Sequence, residues 1–292
     1  MSDDASHNIL VLGASGLIGR YLTDDLRARG FHAIGIARQF TAAQKMSAAD
    51  LELPLMSMDV ADLTQLLRTH EVNVVVNCLG VLQDGPGSDT SAVHRDFVAR
   101  LLEAIRDSHR AIRLVHISIP GSADQDRTAF SATKRKAERL IAASGIAHAI
   151  LRPGFVIAPS AYGGSAMLRA LAALPVDLPA DEAATPFQPV AVEDIAATIA
   201  WLATRDIDDE AVRSVTWDLM QKQPVSLRLQ QLSHTAFRQP CKQLKRPLRR
   251  LTSDLIRGRQ LRDQNAHKPP QMRRRLVVYF RCAARRLVRI VL

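Results

Sequence analysis

Aromatic side chains are scarce in this 292-residue chain: eight Phe, three Tyr and two Trp, 4% of the total. A core of any size must therefore be assembled from Ala, Val, Ile and Leu, and the 47% hydrophobic content supplies enough of them. Cysteine is scarcer still. Cys78, Cys241 and Cys282 are far apart, form no Cys-x-x-Cys pair and have no histidine at metal-ligand spacing. That excludes a disulfide framework and a zinc module, and fits a reduced protein that holds no metal. No run of 18 or more apolar residues occurs, which argues against a membrane-spanning helix. The opening stretch, Met1 to Asn8, is acidic and polar, unlike a secretory signal. A cytoplasmic location follows, with a place at the membrane periphery open only through the basic tail.

Acidic residues all but disappear near the C-terminus. Residues 1–221 hold 20 Lys and Arg against 27 Asp and Glu, a net −7, whereas residues 222–292 hold 19 against 2, a net +17. The overall +10 is therefore a property of the tail and says nothing about the partners of the rest. Periodicity also decays beyond Gln221, where Arg clusters at 249–250, 273–275 and 285–286. Two units are expected: 1–221, and a basic Arg-rich tail over 222–292. Three readings of the tail stay open. It is an appendage for an acidic partner, a nucleic acid or an anionic membrane; a divergent C-terminal subdomain; or the product of a shifted reading frame. No recognisable nucleic-acid-reading element accompanies the charge.

What is present in the first 220 residues is an alternation of short β-branched runs with longer helical patterns, the signature of a parallel sheet with crossover helices. Strands are expected at 8–12, 32–37, 55–58, 73–77, 113–117 and 148–151, with a further one at 212–219. Helices are expected at 17–29, 41–49, 63–69, 93–108, 132–144, 165–174 and 192–204. The fold class is α/β, a Rossmann-type doubly wound sheet with a small substrate-side region towards the C-terminus.

The strongest chemical signal is Gly13-Ala-Ser-Gly16-Leu-Ile-Gly19, which follows the first strand and opens a helix. Gly13 permits a tight turn, Gly16 lets backbone approach a pyrophosphate, and Gly19 lets the helix pack closely. Ser15, Leu17 and Ile18 complete the loop, and the helix N-terminus offers free N–H groups to phosphate. The second strand ends Ile36-Ala37-Arg38, with Ala where an NAD-preferring site carries an acid. A guanidinium at Arg38 suits a 2′-phosphate, with Ser15 as a further donor, so NADP(H) is expected ahead of NAD(H).

The Gly-x-x-Gly-x-x-Gly spacing resembles the short-chain dehydrogenase/reductase superfamily, and further segments match it in register from about residue 8 to 219. Asp59-Val60 resembles its adenine-contacting segment. Asn77-Cys78-Leu79-Gly80 resembles the Asn-Ala-Ala-Gly that flanks the cofactor. His116-Ile-Ser118 ends a strand where the superfamily places its catalytic serine, and Leu151-Arg-Pro153-Gly154 ends another where a proline borders the nicotinamide. Residues 188–196 resemble a segment of the extended and atypical branches. The resemblance implies Ser118 and Lys134 as catalytic residues, but Phe130-Ser-Ala-Thr-Lys134 puts Phe where the Tyr acid/base belongs. No Tyr lies between Tyr21 and Tyr162. Tyr162 from a loop, His116, or a water held by Thr128 or Thr133 are the candidate replacements. His116 is expected to face away from Ser118.

Around 116–138 the match is to the atypical branch that includes the NADPH-holding accessory subunit of respiratory complex I and NmrA-like sensors. That implies a protein holding NADP(H) with its tyrosine-based hydride chemistry lost. The alternative is an active oxidoreductase, epimerase or dehydratase with a relocated acid. The partners are then the dinucleotide and either a small-molecule substrate or a protein complex.

Overall fold

The computed structural model describes residues 7–42, 44, 47–82, 84–85, 89–160, 186–222, 225–226 and 278–280. Its chain order is β1 (Asn8–Leu12), α1 (Leu17–Ala28), β2 (His32–Ala37), β3 (Leu51–Glu52), α2 (Val60–Thr69), β4 (Val74–Asn77), a π-helical turn (Ala92–Asp96), α3 (Phe97–Asp107) and β5 (Arg113–Ile117). There follow α4 (Ala129–Ala143), β6 (His148–Pro153), β7 (Phe155–Ile157), β8 (Pro186–Phe187), β9 (Pro189–Ala191), α5 (Val192–Ala203), β10 (Ser214–Gln221), β11 (Val225–Ser226) and β12 (Val278–Phe280).

Eight strands form one parallel sheet in the order β12-β10-β6-β5-β4-β1-β2-β3. The strands bury both faces, which is why they read as continuous apolar runs. Ile9, Val11, Val74, Val76, Val115 and Ile117 face α1 and α5, while Leu10, Leu12, Val75, Leu114 and Ile150 face α2, α3 and α4. The order reverses between β1 and β4, whose residues Ile9 to Leu12 pair with Val74 to Asn77. A crevice outside the carboxyl ends of these two strands is the ligand position such a sheet creates.

Three expectations need correction. The third strand is Leu51–Glu52, paired with Ile36 and Ala37, rather than 55–58. Leu55 is buried but sits in a turn, with the Ser57 N–H donating to the Pro54 carbonyl. The described residues of 41–49 are turns or unstructured rather than helix. The expected helix over 93–108 begins instead as the π-helical turn, which is wider than an α-helix. The expected helix at 165–174 lies outside the described residues, as does Tyr162. Of the tail, 225–226 pairs with β8 and 278–280 with β10.

Candidate functional site

The glycine loop leaves β1 at the reversal point. Gly13 adopts φ +82, a left-handed conformation, and its N–H and that of Ala14 both donate to the Ile36 carbonyl, at 2.8 and 2.9 Å. A Cβ on Gly19 would collide with the Gly13 carbonyl oxygen, so only glycine lets α1 seat on the turn. Gly16 is the N-cap of α1. No side chain caps this helix, and its first turn carries no acid. The N–H groups of its first turn, at Leu17, Ile18 and Gly19, therefore stand ready for an anion. Ser15 is half-buried, and its carbonyl accepts from Gln44 Nε2. Arg38 is exposed immediately beyond the end of β2. Asp59 is also exposed, but its carboxylate accepts from the Asp62 N–H and forms a capping box that starts α2 ahead of the half-buried Val60.

The opposite lip of the crevice is the end of β4. A Cβ on Gly13 would lie 3.2 Å from Leu79 Cδ2 and 3.3 Å from the Cys78 carbonyl oxygen, so the glycine loop and Cys78-Leu79-Gly80 are close neighbours. Asn77 Oδ1 accepts from the Leu79 N–H and shapes this lip. Burial pushes the Cys78 thiol up to about 12, so it carries no charge near neutral pH.

Lys134 reaches this lip from α4. Its Nζ donates to the carbonyls of Leu79 and Ile117, both at 2.9 Å, which places the ammonium between the ends of β4 and β5. It is 4% exposed. Desolvation lowers its pKa to about 8, with Cys78 and Glu138 opposing the shift. One helical turn earlier, Phe130 stands where a tyrosine would pair with it. Its ring meets the His94 ring edge-on, with centroids 5.4 Å apart.

Ser118 is 5% exposed, and its Oγ donates to Glu138 Oε1 at 2.6 Å. Glu138 also accepts from Arg135 Nη1 at 3.0 Å and from Arg152 Nε at 2.8 Å, with a further bond from Arg152 Nη2. The structure thus spends the Ser118 proton inside a buried ionic cluster. Pro153, at the end of β6, pairs in register with Leu219 of β10.

His116 shares a side of the sheet with Ser118, contrary to expectation. Residues two apart on a strand point the same way. His116 Nδ1 lies 3.2 Å from Asn77 Nδ2, and burial together with the Lys134 charge lowers its pKa well below the ordinary value. Thr133 Oγ1 donates to the Ala129 carbonyl at 2.7 Å, and Thr128 caps α4. Neither hydroxyl is idle.

Sequence reasoning missed the connected set of Glu138, Arg135 and Arg152, and separately missed His94. Only Glu138 offered a signal, standing four residues after Lys134 and hence on the same helix face. The glycine cradle, the uncapped helix and the lysine together fit a dinucleotide: phosphate oxygens against free N–H groups, ribose hydroxyls against the ammonium. Among the described residues no group of three His, Cys, Asp or Glu could hold a metal ion, and no helix is long and apolar enough to cross a membrane.

A family model described as the NAD dependent epimerase/dehydratase family matches residues 9–207. Among curated proteins, a 3-diazoavenalumate denitrifying reductase from a Streptomyces species is 31% identical over 192 residues, 56% of this chain and 62% of its own length. A dTDP-6-deoxy-L-talose 4-dehydrogenase (NAD(P)(+)) from Kitasatospora kifunensis is 30% identical over 113 residues, 39% of this chain and 35% of its own. The chain thus spans less than two thirds of each of these relatives. The UDP-glucose 4-epimerase of Thermus thermophilus, solved with NAD, superposes with a TM-score of 0.59 at 18% identity, covering 78% of this chain and 84% of that one. That of Thermotoga maritima, solved with UDP-glucose, gives 0.61 at 15% identity over 78% and 82%. At these identities the structural likeness speaks for the fold.

Proposed function

This chain belongs to the NAD dependent epimerase/dehydratase family, and from that premise we propose that it binds a nicotinamide dinucleotide across the β1–β4 crevice and acts as an oxidoreductase, epimerase or dehydratase on a carbonyl or sugar-nucleotide substrate. The observation that carries the reading is the convergence of the uncapped glycine turn, the Leu79–Gly80 lip and Lys134 Nζ at the reversal point of the sheet. When bound, the dinucleotide supplies or takes the hydride. This chain's part is to hold the phosphates on the first turn of α1, to hold ribose hydroxyls at Lys134, and to keep water from the crevice. Asp59-Val60 is assigned to the adenine end and Pro153 to the nicotinamide end. Arg38, exposed beside the end of β2 with no acid in the preceding position, supports NADP(H) over NAD(H).

The proton donor must lie elsewhere than residue 130, since a phenyl ring cannot exchange a proton. Ser118 and Thr133 donate their hydroxyl protons to Glu138 and Ala129, Thr128 caps α4, and burial with the Lys134 charge keeps His116 neutral, so we assign Tyr162 as the acid. The test is calorimetric titration with NADPH and NADH, followed by a panel of carbonyl and dTDP- or UDP-sugar substrates read by NADPH absorbance. NADPH binding that weakens selectively in Arg38→Ala, and turnover that is lost in Tyr162→Phe, support the reading. No binding of either dinucleotide would sink it.

A second reading is favoured by Phe130 and by the spent Ser118 proton: a protein that holds NADP(H) without turnover, as in the atypical branch it resembles. Tight binding with no turnover across the panel selects it. The basic segment 222–292 is proposed to serve neither role, so a chain ending at 221 should bind the dinucleotide as tightly as the whole.

A further inference from the structure

His94 is 1% exposed in a chain whose proposed chemistry makes no use of it. It lies in the π-helical turn ahead of α3, and both of its ring nitrogens are committed. Nε2 accepts from the Val81 N–H at 3.1 Å, and Nδ1 lies 2.9 Å from Thr133 Oγ1. The protons on this chain of bonds can be placed without ambiguity. A backbone N–H can only donate, so Nε2 must carry its lone pair. Thr133 spends its single hydroxyl proton on the Ala129 carbonyl, so it accepts from Nδ1–H. The ring is therefore neutral in one tautomer. Burial and the nearby Lys134 charge agree, lowering its pKa to about 3 against the weaker pull of Asp84.

The two bonds join segments that lie far apart in sequence. Val81 follows the lip of the crevice, and Thr133 precedes Lys134 on α4. Gly80 sits between the imidazole and the ammonium: a Cβ there would lie 3.6 Å from His94 Nε2 and 3.7 Å from Lys134 Nζ. The Phe130 ring packs edge-on against the same imidazole. We propose that His94 is a positioning residue for the dinucleotide site, a neutral clamp that fixes the Leu79–Val81 lip over Lys134 and gives Phe130 its role as packing partner of that clamp. The inference rests on the reading that the dinucleotide lies along this lip. Without the clamp the Val81 N–H loses its acceptor, the lip is free to shift, and the Leu79 carbonyl no longer holds Lys134 in place.

The test compares the full-length protein with His94→Phe, His94→Gln and Thr133→Val. Each is measured for NADPH affinity by calorimetry, for melting temperature, and for hydrogen exchange at the Val81 amide. Glutamine can accept from Val81 and donate to Thr133, whereas phenylalanine can do neither. Expected is a loss of NADPH affinity of about tenfold or more in His94→Phe, the scale of an unmade buried hydrogen bond, with the Val81 amide deprotected. His94→Gln should recover both to within about threefold, half a decade of affinity. Should His94→Phe not fold, Thr133→Val decides, because it keeps the ring but strands Nδ1–H, and it must weaken NADPH binding. Wild-type affinity in His94→Phe or, failing that variant, in Thr133→Val, overturns the proposal. So does a glutamine variant that binds as poorly as the phenylalanine one at a wild-type melting temperature. If the unmodified protein binds no dinucleotide, the functional reading falls and takes this inference with it. If it binds and the variants match it, the inference falls alone.

Discussion

Lys134 and Glu138 stand one turn apart on the same face of α4, both buried and both charged in the ordinary state, yet they are solvated in opposite ways. Glu138 is met by two guanidiniums and a hydroxyl, which together hold its carboxyl below the usual carboxylate range despite a desolvation that would raise it. Lys134, among the described residues, hydrogen-bonds only the carbonyls of Leu79 and Ile117. Its charge is stabilised by dipoles rather than by a counter-ion in contact, and its pKa drops to about 8. The first arrangement is closed: Glu138 draws its donors from Ser118 just past β5, from Arg152 of β6 and from Arg135 of its own helix. The second is open, since a cation lacking a contacting anion gains from any electron-rich group that arrives. On the proposed reading, a charge kept for structure and a charge kept for a ligand differ in their partners even where both are buried.

The largest expected effect would break the closed member of the pair. Glu138→Ala leaves Arg135 and Arg152 buried without a carboxylate and Ser118 Oγ without an acceptor, and should cost about 3–5 kcal/mol in urea unfolding. Glu138→Gln, which keeps an acceptor for Ser118, should cost less. Equal losses would show that the ionic part of the cluster contributes nothing. Lys134→Met sharpens the contrast. Replacing a desolvated cation by an apolar side chain of similar shape should change folding stability by no more than about 1 kcal/mol. The same substitution should weaken NADPH binding about tenfold or more, the scale of a hydrogen bond to a charged group. A large stability loss with unchanged binding would reverse the roles assigned to the two residues.

The smaller effects lie in the pH dependence of folding. Lys134 titrates near 8 in the folded chain against 10.5 when free, so the unfolded chain holds more protons between those values. Stability therefore rises as pH climbs from about 8, by at most roughly tenfold in the folding equilibrium per pH unit. Cys78, raised from 9.0 to about 12, opposes this from pH 9 upward, so the slope is cleanest between 8 and 9 and should vanish in Lys134→Met. On the acid side His94, lowered from 6.5 to about 3, makes folding less favourable as pH falls through that window. Asp194, raised from 3.8 to about 6 by burial and by Glu193, acts in the opposite sense. The difference between wild type and His94→Gln isolates the histidine. Identical acid limbs in the two proteins would place a charged imidazole in the folded state.

The strands that alternate two apolar faces, 8–12, 32–37 and 113–117, were legible because such runs have few other uses. The third strand was not. Leu55 and Met58 supplied the apolar signal, but pairing with Ile36 and Ala37 selected Leu51 and Glu52, and Pro54 ended the strand. At the site, Gly13, Gly16 and Gly19 were legible because glycine spacing next to a strand has a local cause. Lys134 was legible through the motif around it. His94 was not, since a histidine inside a helical pattern carries no mark of what its ring will meet 13 and 39 residues away.

The sequence by itself therefore determined what is local and periodic: a parallel α/β sheet, a glycine turn with an uncapped helix behind it, and a position 130 without a phenol. The tertiary structure alone decided where protons and charges reside. It handed the Ser118 proton to Glu138, turned His116 to the α4 side, closed His94 between Val81 and Thr133, and left Lys134 with carbonyls for company. The physical reason is that a side chain's polarity is written in its own residue, whereas its partners and its dielectric surroundings come from segments that only the fold brings within hydrogen-bond reach.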